Sequence, residues 1–283
     1  MVGERLGRGQ GANVNIFDDL GYSRRCQMGE KVQNDRKALA VVIYLKDGCL
    51  PGVESLLLDF NRRWKETLLV EEGQKGNCLY FRSGDFHFAI ELRNVSVPPS
   101  VTEAVLNHTQ HRRRTEKLLR IHNTHFGVVA SLESGRMLDL AGVFTKLLVS
   151  VLSISRALAV CWLRSALLCS ARDFIEVAES MLRNGSPPLM LWINLEWKPK
   201  GRLIHSNGMT QFQAPEIFLA GQGGISQEIA EYFFELAYYV LTTDRNILEG
   251  ETIDGPRGAL RIEFVKAGES GKRGLFLVPV RPN

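Results

Sequence analysis

A run of seven apolar residues from Leu39 to Leu45 (LAVVIYL) constrains the fold of this chain more than any other feature. The run is continuous and rich in β-branched residues, which is typical of a strand that is covered on both faces. A second run of the same kind, Ala157 to Leu163 (ALAVCWL), follows later in the chain. The sequence therefore predicts two fully buried strands, each with other elements packed on both sides.

Each buried strand begins a similar series of elements. After the first strand, apolar spacing predicts a helix over 53–64, two strands around a Ser83-Gly84-Asp85 turn, a helix after Pro98-Pro99 and a last strand. A linking helix over 138–152 leads to the second series. The predicted strands lie at 39–45, 78–82, 86–92, 125–132, 157–163, 189–197, 212–219, 260–265 and 275–280. Ser170 and Ser226 each suit the N-cap of a helix in the second series.

The order β-α-β-β-α-β thus occurs twice. The predicted fold class is α+β, with two successive ferredoxin-like units that pack together or share a sheet. The predicted division is a polar N-terminal extension (1–36), a first α+β unit (37–134), a linking helix (135–156) and a second α+β unit (157–283). The extension is polar and Gly-rich, so it has little core of its own.

Composition and charge favour a globular protein in a reducing compartment. Hydrophobic residues make up 45% of the chain and charged residues 23%, and the net charge of +4 is too small to indicate a dedicated nucleic-acid domain. The N-terminus lacks the apolar core of a signal peptide, and the uncharged apolar run between Lys146 and Arg156 is about half of the roughly 20 residues that cross a bilayer. The cysteines are scattered without metal-site spacing. We therefore expect a cytoplasmic protein with free thiols and no membrane contact.

No pattern in the sequence assembles a catalytic or cofactor site. The run Leu6 to Val14 (LGRGQGANV) resembles a kinase phosphate loop, but its third glycine is one residue early and no kinase catalytic loop follows. Histidines crowd between His108 and His125 without the three or four converging ligands that zinc requires. Cys169 precedes a predicted helix, whose N-terminus would lower a thiol pKa, so it is a more reactive candidate than Cys161. We expect no metal, no cofactor and no catalytic residue.

Five residues are candidates for binding. Arg112, Arg113 and Arg114 form the densest positive cluster, which suits an acidic protein as well as nucleic acid. The aromatic string of an RNA-binding sheet is missing, which makes nucleic acid the less favoured partner. Trp192 lies on the polar side of a predicted strand. An exposed Trp there would be a binding hot spot, although packing is the favoured role. His125 begins a predicted strand and is the fifth candidate.

Several short phrases occur in an order that resembles a known family. They are HFGVV from His125, AVCW from Ala159, PLMLWI from Pro188, NGMTQF from Asn207 and LEGETI from Leu248. Their succession resembles a bacterial family of domains of unknown function, number four-two-six-one, over roughly residues 38–280. That family usually has a Thr just ahead of the Gly-Met phrase, where this chain has Ser206 and Asn207. The resemblance implies no established activity, cofactor or catalytic residue. Similar domains often occur near toxin–immunity loci, which suggests an immunity role by analogy.

The favoured function is a non-enzymatic protein-binding module, of the immunity type by this analogy. It would act through one exposed sheet face or through the basic segment 111–120. Two alternatives stay open. One is an enzyme whose site is assembled from dispersed residues, with the candidates His125, His205, Asp139 and Cys169. The other is a weak nucleic-acid binder that uses Arg112 to Arg114. The sequence leaves the oligomeric state open.

Overall fold

The computed structural model describes residues 37–108, 116–117, 119–198, 202–220, 223–243, 248–256, 258–267 and 272–280. Within these ranges the chain forms two β-sheets and five α-helices, which confirms the predicted α+β class. The predicted extension 1–36, with its glycine run, lies outside the described residues, and so do Arg112, Arg113 and Arg114.

The first sheet has seven strands in the order β2-β3-β4-β5-β1-β6-β7, and all neighbouring pairs are antiparallel. Its strands are β1 (Ala38–Leu45), β2 (Leu69–Lys75), β3 (Cys78–Ser83), β4 (Phe86–Arg93), β5 (Thr124–Leu132), β6 (Ala157–Trp162) and β7 (Leu167–Ser170). Strand β1 pairs along its whole length with β5 and through Val41–Leu45 with β6. The strand with the most apolar sequence therefore has a neighbour on each side.

Both faces of β1 are covered. Its odd-numbered residues belong to a core that includes buried residues of helices α1 (Val53–Trp64), α3 (Met137–Ile154) and α4 (Ala171–Arg183). Its even-numbered residues belong to a second core with buried residues of helix α2 (Pro99–Asn107). All eight residues of β1 are buried. The prediction of a strand covered on both faces is confirmed.

Helix α3 lies at the centre of the helical layer. It contacts α1, α4, β4, β5 and the 3₁₀ turn Met209–Phe212. By length and composition α3 could also cross a membrane, but 61% of its apolar stretch is buried inside the protein. A helix that is surrounded by protein is apolar on most sides, so its position in the core accounts for this composition.

The second sheet has six strands in the order β11-β12-β13-β10-β9-β8. Its strands are β8 (Asn194–Lys198), β9 (Leu203–Asn207), β10 (Glu216–Ala220), β11 (Thr252–Gly255), β12 (Gly258–Ala267) and β13 (Lys272–Pro279). Strands β10 and β13 are parallel, and the other neighbours are antiparallel. Helix α5 (Gln227–Thr242) begins at Ser226, whose hydroxyl accepts a hydrogen bond from the Ile229 N–H, as the predicted N-cap requires.

The strand order differs from that of two ferredoxin-like units. Such a unit has a parallel strand next to its first strand, whereas both neighbours of β1 are antiparallel. Strands β6 and β7, assigned by sequence to the second unit, extend the first sheet. The reason is burial. The apolar strand β1 is covered at both edges only because β6 pairs with the edge opposite β5. Four strands that the sequence pattern did not indicate, β2, β7, β9 and β11, complete the sheets.

Candidate functional site

The face of the second sheet that points away from α5 carries side chains of several strands in cross-strand register. Along β10 and β13 the buried residues Ile217, Leu219, Leu275 and Leu277 share a core with Ile229 and Phe233 of α5. Successive side chains of a strand point to opposite faces. The alternate residues of these strands therefore lie on the face away from α5, and they are only partly buried.

Five residues form a straight row across that face, and we call them the open-face row. Glu196 of β8 is directly opposite His205 of β9, which is opposite Phe218 of β10. Phe218 is in turn opposite Phe276 of β13, and Phe276 is opposite Glu263 of β12. The row thus has a carboxylate at each end and three rings in the middle. Only the strand order brings these residues together.

The three rings of the row stack on one another. The ring centroids of Phe218 and Phe276 are 4.3 Å apart with an interplanar angle of 4°. Those of His205 and Phe218 are 5.6 Å apart at 7°. Both faces of the Phe218 ring are therefore covered by neighbouring rings. The Phe218 ring therefore points its edge, and not its faces, away from the sheet.

Glu196 joins the row to the end of α2. Its Oε1 accepts hydrogen bonds from His108 Nδ1 at 2.8 Å and from Asn207 Nδ2 at 3.3 Å. Its Oε2 lies 3.2 Å from Lys198 Nζ and 3.4 Å from His205 Nε2. Burial opposes ionisation of Glu196, but the hydrogen bond from His108 and the nearby charges outweigh it and lower the pKa of Glu196 to about 2. Glu196 is therefore a carboxylate across the physiological pH range.

The two histidines beside Glu196 differ in their protonation. The hydrogen bond to Glu196 raises the pKa of His108 above its ordinary value. Burial lowers the pKa of His205, and the attraction of Glu196 only partly offsets it. A side-chain exposure of 42% for His108 and 17% for His205 accounts for this difference, because burial disfavours the charged imidazolium. At the Glu196 end of the row, His108 is thus exposed and readily protonated, whereas His205 is largely buried and neutral.

Glu216 fixes the backbone next to the row. Its Oε2 accepts a hydrogen bond from Ser206 Oγ at 2.6 Å, and its Oε1 accepts from the backbone N–H groups of Gly208 and Thr210 at 3.0 and 3.1 Å. Gly208 has φ 126°, and a Cβ there would lie 2.8 Å from the backbone oxygen of Trp192. Only glycine fits this position. The turn that follows β9 is therefore fixed by the hydrogen bonds to the Glu216 carboxylate and by the close packing of Gly208 against the Trp192 backbone.

Trp192 lies inside the protein, which confirms the packing role that the sequence favoured, although its place on the polar side of a strand was wrong. It is 0% exposed, and its Nε1 donates to Thr145 Oγ1 of α3 at 2.8 Å. The backbone oxygen of Trp192 accepts from Gln211 Nε2, and Gln211 Oε1 accepts from Trp162 Nε1 at 2.7 Å. These buried hydrogen bonds connect the first sheet, α3 and the second sheet. Trp192 therefore joins the two sheets and is not on a binding surface.

His125 is also a core residue. It is 1% exposed, and its Nδ1 donates to the Val95 carbonyl at 2.8 Å. Burial lowers the pKa of His125 to about 4. A neutral, buried imidazole that is bonded to the backbone serves packing, so His125 does not form a binding surface in this structure.

The residues proposed for an enzyme are dispersed. Asp139, in the first turn of α3, pairs with Arg136 at the surface, at 2.8 Å. Burial raises the pKa of the Cys169 thiol to about 12 and also raises that of Cys161, so the expectation that a helix N-terminus activates Cys169 is wrong. Among the four candidates, His205 pairs with a carboxylate, and its Nε2 lies 3.4 Å from Glu196 Oε2. The residues described by the structure contain no group of three His, Cys, Asp or Glu side chains that could hold a metal ion.

Sequence reasoning missed four of the five row residues as site residues, because each alone is an ordinary strand residue. The available signal was alternation, since Phe218 lies between Ile217 and Leu219, and Phe276 lies between Leu275 and Leu277. Alternation shows that both rings face away from the aliphatic core. It does not show that the two strands are neighbours.

The C-terminal part of the chain matches a known family. Residues 205–269 match the model of the Domain of unknown function (DUF4261) family. This is the family that the sequence resemblance predicted, and the recognition is confirmed over that segment. The match includes His205, Phe218 and Glu263 of the open-face row, and also Gly208 and Glu216 of the adjacent turn. No curated protein and no solved structure matches the chain.

Proposed function

We propose that the protein is a non-enzymatic binding module that contacts another protein through the open-face row. The observation that carries this proposal is the set of three stacked rings in cross-strand register, with Glu196 and Glu263 at the ends. Aromatic centres with polar edges are characteristic of protein–protein contact surfaces. The partner we expect presents apolar side chains to the rings and hydrogen-bonding groups to the two charged ends.

The shape of the row supports a macromolecular partner. Five neighbouring strands at about 4.8 Å spacing give the row a length of roughly 19 Å. Small-molecule sites are concave, whereas the row runs across the strands on one face of a sheet. Two cavities in the described part of the chain, of about 770 and 420 Å³, are lined by residues outside the row.

The chemistry of the row favours protein over nucleic acid. Bases bind to exposed aromatic ring faces and to a positively charged groove. The Phe218 ring has both faces covered, and the row ends in two carboxylates. Lys198 lies near one end and Arg261 near the other, but Lys198 contacts Glu196 and Arg261 contacts Glu263 at 2.6 Å. The charges at the ends are therefore paired.

Affinity capture with matched aromatic variants tests the proposal. The bait is the full chain as wild type, as Phe276→Ala, or as Tyr238→Ala, a control on the exposed surface of α5 where Tyr238 is 48% exposed. Wild type and Tyr238→Ala should retain the same stoichiometric protein from the source organism, and Phe276→Ala should lose it while keeping its circular dichroism spectrum. Equal retention by all three baits, or no retained protein, would contradict the proposal.

An immunity-type role is the narrower form of this proposal, and it rests on analogy between families. The genomic neighbourhood tests it separately. A toxin gene beside this one, whose product binds the wild type and not Phe276→Ala, would support the role. A partner that is not a toxin would refute the immunity role while leaving the binding function in place.

A further inference from the structure

A basic cleft lies in the helical layer of the first sheet. It has a volume of about 770 Å³ and lies between the C-terminal ends of α1 and α4 and the middle of α3. Its walls carry the side chains of Arg62, Arg63, Trp64, Lys65, Lys146 and Arg183. We propose that this basic cleft binds a small phosphate ester or diphosphate, a multivalent oxyanion with an organic part.

The charge of the cleft supports an anionic ligand. Five of its side chains are cationic, and the carboxylates that contact them are those of Asp59, Glu66 and Glu179. Cations thus outnumber carboxylates by two. Arg62 and Lys65 are exposed, and neither makes an ion pair with any residue of the described ranges. These two side chains can therefore turn to a ligand without breaking an ion pair.

Two of the cations are already fixed in position. Asp59 accepts from Arg63 Nε at 3.0 Å and from Nη2 at 2.7 Å, and Glu179 of α4 accepts from Nη1. Lys146 donates to Glu66 and lies over the Trp64 ring, 6.0 Å from its centroid. Oriented cations lose little conformational freedom when a ligand binds. The cleft thus combines a rigid cationic wall with two mobile cations.

The position of Lys65 is costly for a lysine. It follows the last residue of α1 with φ 55°, in the left-handed region, and its N–H donates to the Asn61 carbonyl at 3.0 Å. Glycine is the residue that fits such a C-terminal position best. Basic residues in the last turn of a helix are explained by the helix dipole, which accounts for Arg62, Arg63 and Arg183. That explanation does not extend to Lys146 in the middle of α3, and it does not require the lysine side chain at 65.

The size and the aromatic wall of the cleft indicate an organic part in the ligand. A volume of about 770 Å³ falls within the usual range for small-molecule sites, which is wider than an inorganic phosphate needs. Trp64 is half-buried, and its Nε1 donates to the Lys146 carbonyl at 3.0 Å, which holds the indole in place. A fixed indole beside cations provides a flat apolar surface next to the anion site. The basic cleft shares no residue with the open-face row, so each proposal can fail alone.

Titration calorimetry of the full chain with pyrophosphate, at low ionic strength, tests the proposal. The test variant is Arg62→Ala/Lys65→Ala. The control is Lys46→Ala/Arg172→Ala, which removes the same charge from two exposed sites outside the cleft. Wild type and control should bind one pyrophosphate with equal affinity, and the dissociation constant of the test variant should rise at least about tenfold. Equal affinities of all three proteins, or no binding by the wild type, would overturn the proposal.

Lys65→Gly separates a binding role from a structural one. Glycine relieves the left-handed backbone, so the melting temperature without ligand should rise by about 3 °C. Pyrophosphate should bind this variant more weakly than wild type, although the variant is the more stable protein. Unchanged affinity in Lys65→Gly would contradict a ligand-binding role for Lys65. Comparing adenosine diphosphate with pyrophosphate tests the organic part, and the proposal predicts tighter binding of the nucleotide.

Discussion

The two sheets of this protein are covered to different extents. The first sheet has helices on both faces, and alternate residues of its central strand β1 pack into two separate cores. The second sheet has α5 on one face and the open-face row on the other. The sequence shows the same contrast, because the first sheet contains continuous apolar runs and the second contains alternating strands. The difference suggests that the first sheet supplies stability and the second supplies a surface.

The largest difference that we expect is in the free energy of unfolding when a phenylalanine of each sheet is replaced by alanine. Phe126 on β5 is 0% exposed, and Phe276 on β13 is partly exposed. Phe126→Ala should lower the free energy of unfolding by about 4 kcal/mol, because it leaves a cavity in a closed core. Phe276→Ala should cost about 1 kcal/mol, the value of a partly exposed aromatic pair. Urea unfolding measures both, and equal losses would show that the two sheets do not differ in this way.

The junction between the sheets should be nearly as sensitive as the first core. Gly208→Ala would place a Cβ 2.8 Å from the Trp192 backbone oxygen at φ 126°, so we expect a loss of about 3 kcal/mol. Gly223→Ala is the matched control, because a Cβ there meets nothing within 4 Å. Thermal unfolding of the two variants measures the difference. A stable Gly208→Ala protein would mean that the close approach at the junction can relax.

The pH dependence of stability should change at Glu196. Its pKa of about 2 lies below the roughly 4.3 of an unfolded glutamate, so its stabilising contribution is present above about pH 4 and is lost as the pH falls toward 2. Glu196→Gln should make urea unfolding less dependent on pH in this window. In the opposite direction, the raised pKa of His108 gives a contribution that is complete below about pH 6.5 and is lost as the pH rises through the folded value.

Nuclear magnetic resonance of the imidazoles provides the direct check on these groups. His108 should titrate above the ordinary histidine value and His205 below it. Glu196→Gln should lower the pKa of His108, since the carboxylate that stabilises the imidazolium is removed. A His108 pKa that is the same in both proteins would show that the hydrogen bond does not form in solution.

The smallest effect that we expect is a difference in thiol labelling between an exposed cysteine and two cysteines of the first sheet. Cys49 is exposed, whereas the thiols of Cys161 and Cys169, on the antiparallel pair β6 and β7, have pKa values raised by burial. At about pH 8, iodoacetamide should modify Cys49 in the folded protein and the other two only after unfolding. Mass spectrometry of the labelled peptides measures this. Early modification of Cys169 would contradict the account of a closed first sheet.

Local features of the fold were predictable from the sequence. The run at 39–45 indicated a strand covered on both faces, Ser170 and Ser226 indicated helix N-caps, and the linking helix 138–152 is observed as Met137–Ile154. The helix expected after Pro98-Pro99 is observed as α2, which begins at Pro99 itself and has no side-chain cap. Proline suits a first helical position, since it has no N–H to satisfy.

The remaining features depend on contacts between distant residues. Trp192 was assigned to a strand, but a 3₁₀ turn at Leu189–Leu191 follows Pro187-Pro188 and turns the indole into the core. Strand β2 (LVEEGQK) has few residues that favour strands, so only its pairing with β3 reveals it. The open-face row requires the strand order β12-β13-β10-β9-β8, including the parallel pair, which no local pattern specifies.

Site-specific photo-cross-linking in cells of the source organism tests the central claim most directly. A photoreactive phenylalanine analogue replaces Val278, which lies two residues from Phe276 on the same face of β13, or Glu228, which is exposed on α5. The account predicts one discrete protein adduct from position 278, absent from position 228 and lost when Phe276→Ala is added. No adduct from position 278, or the same adduct from both positions, would contradict a binding role for the open-face row.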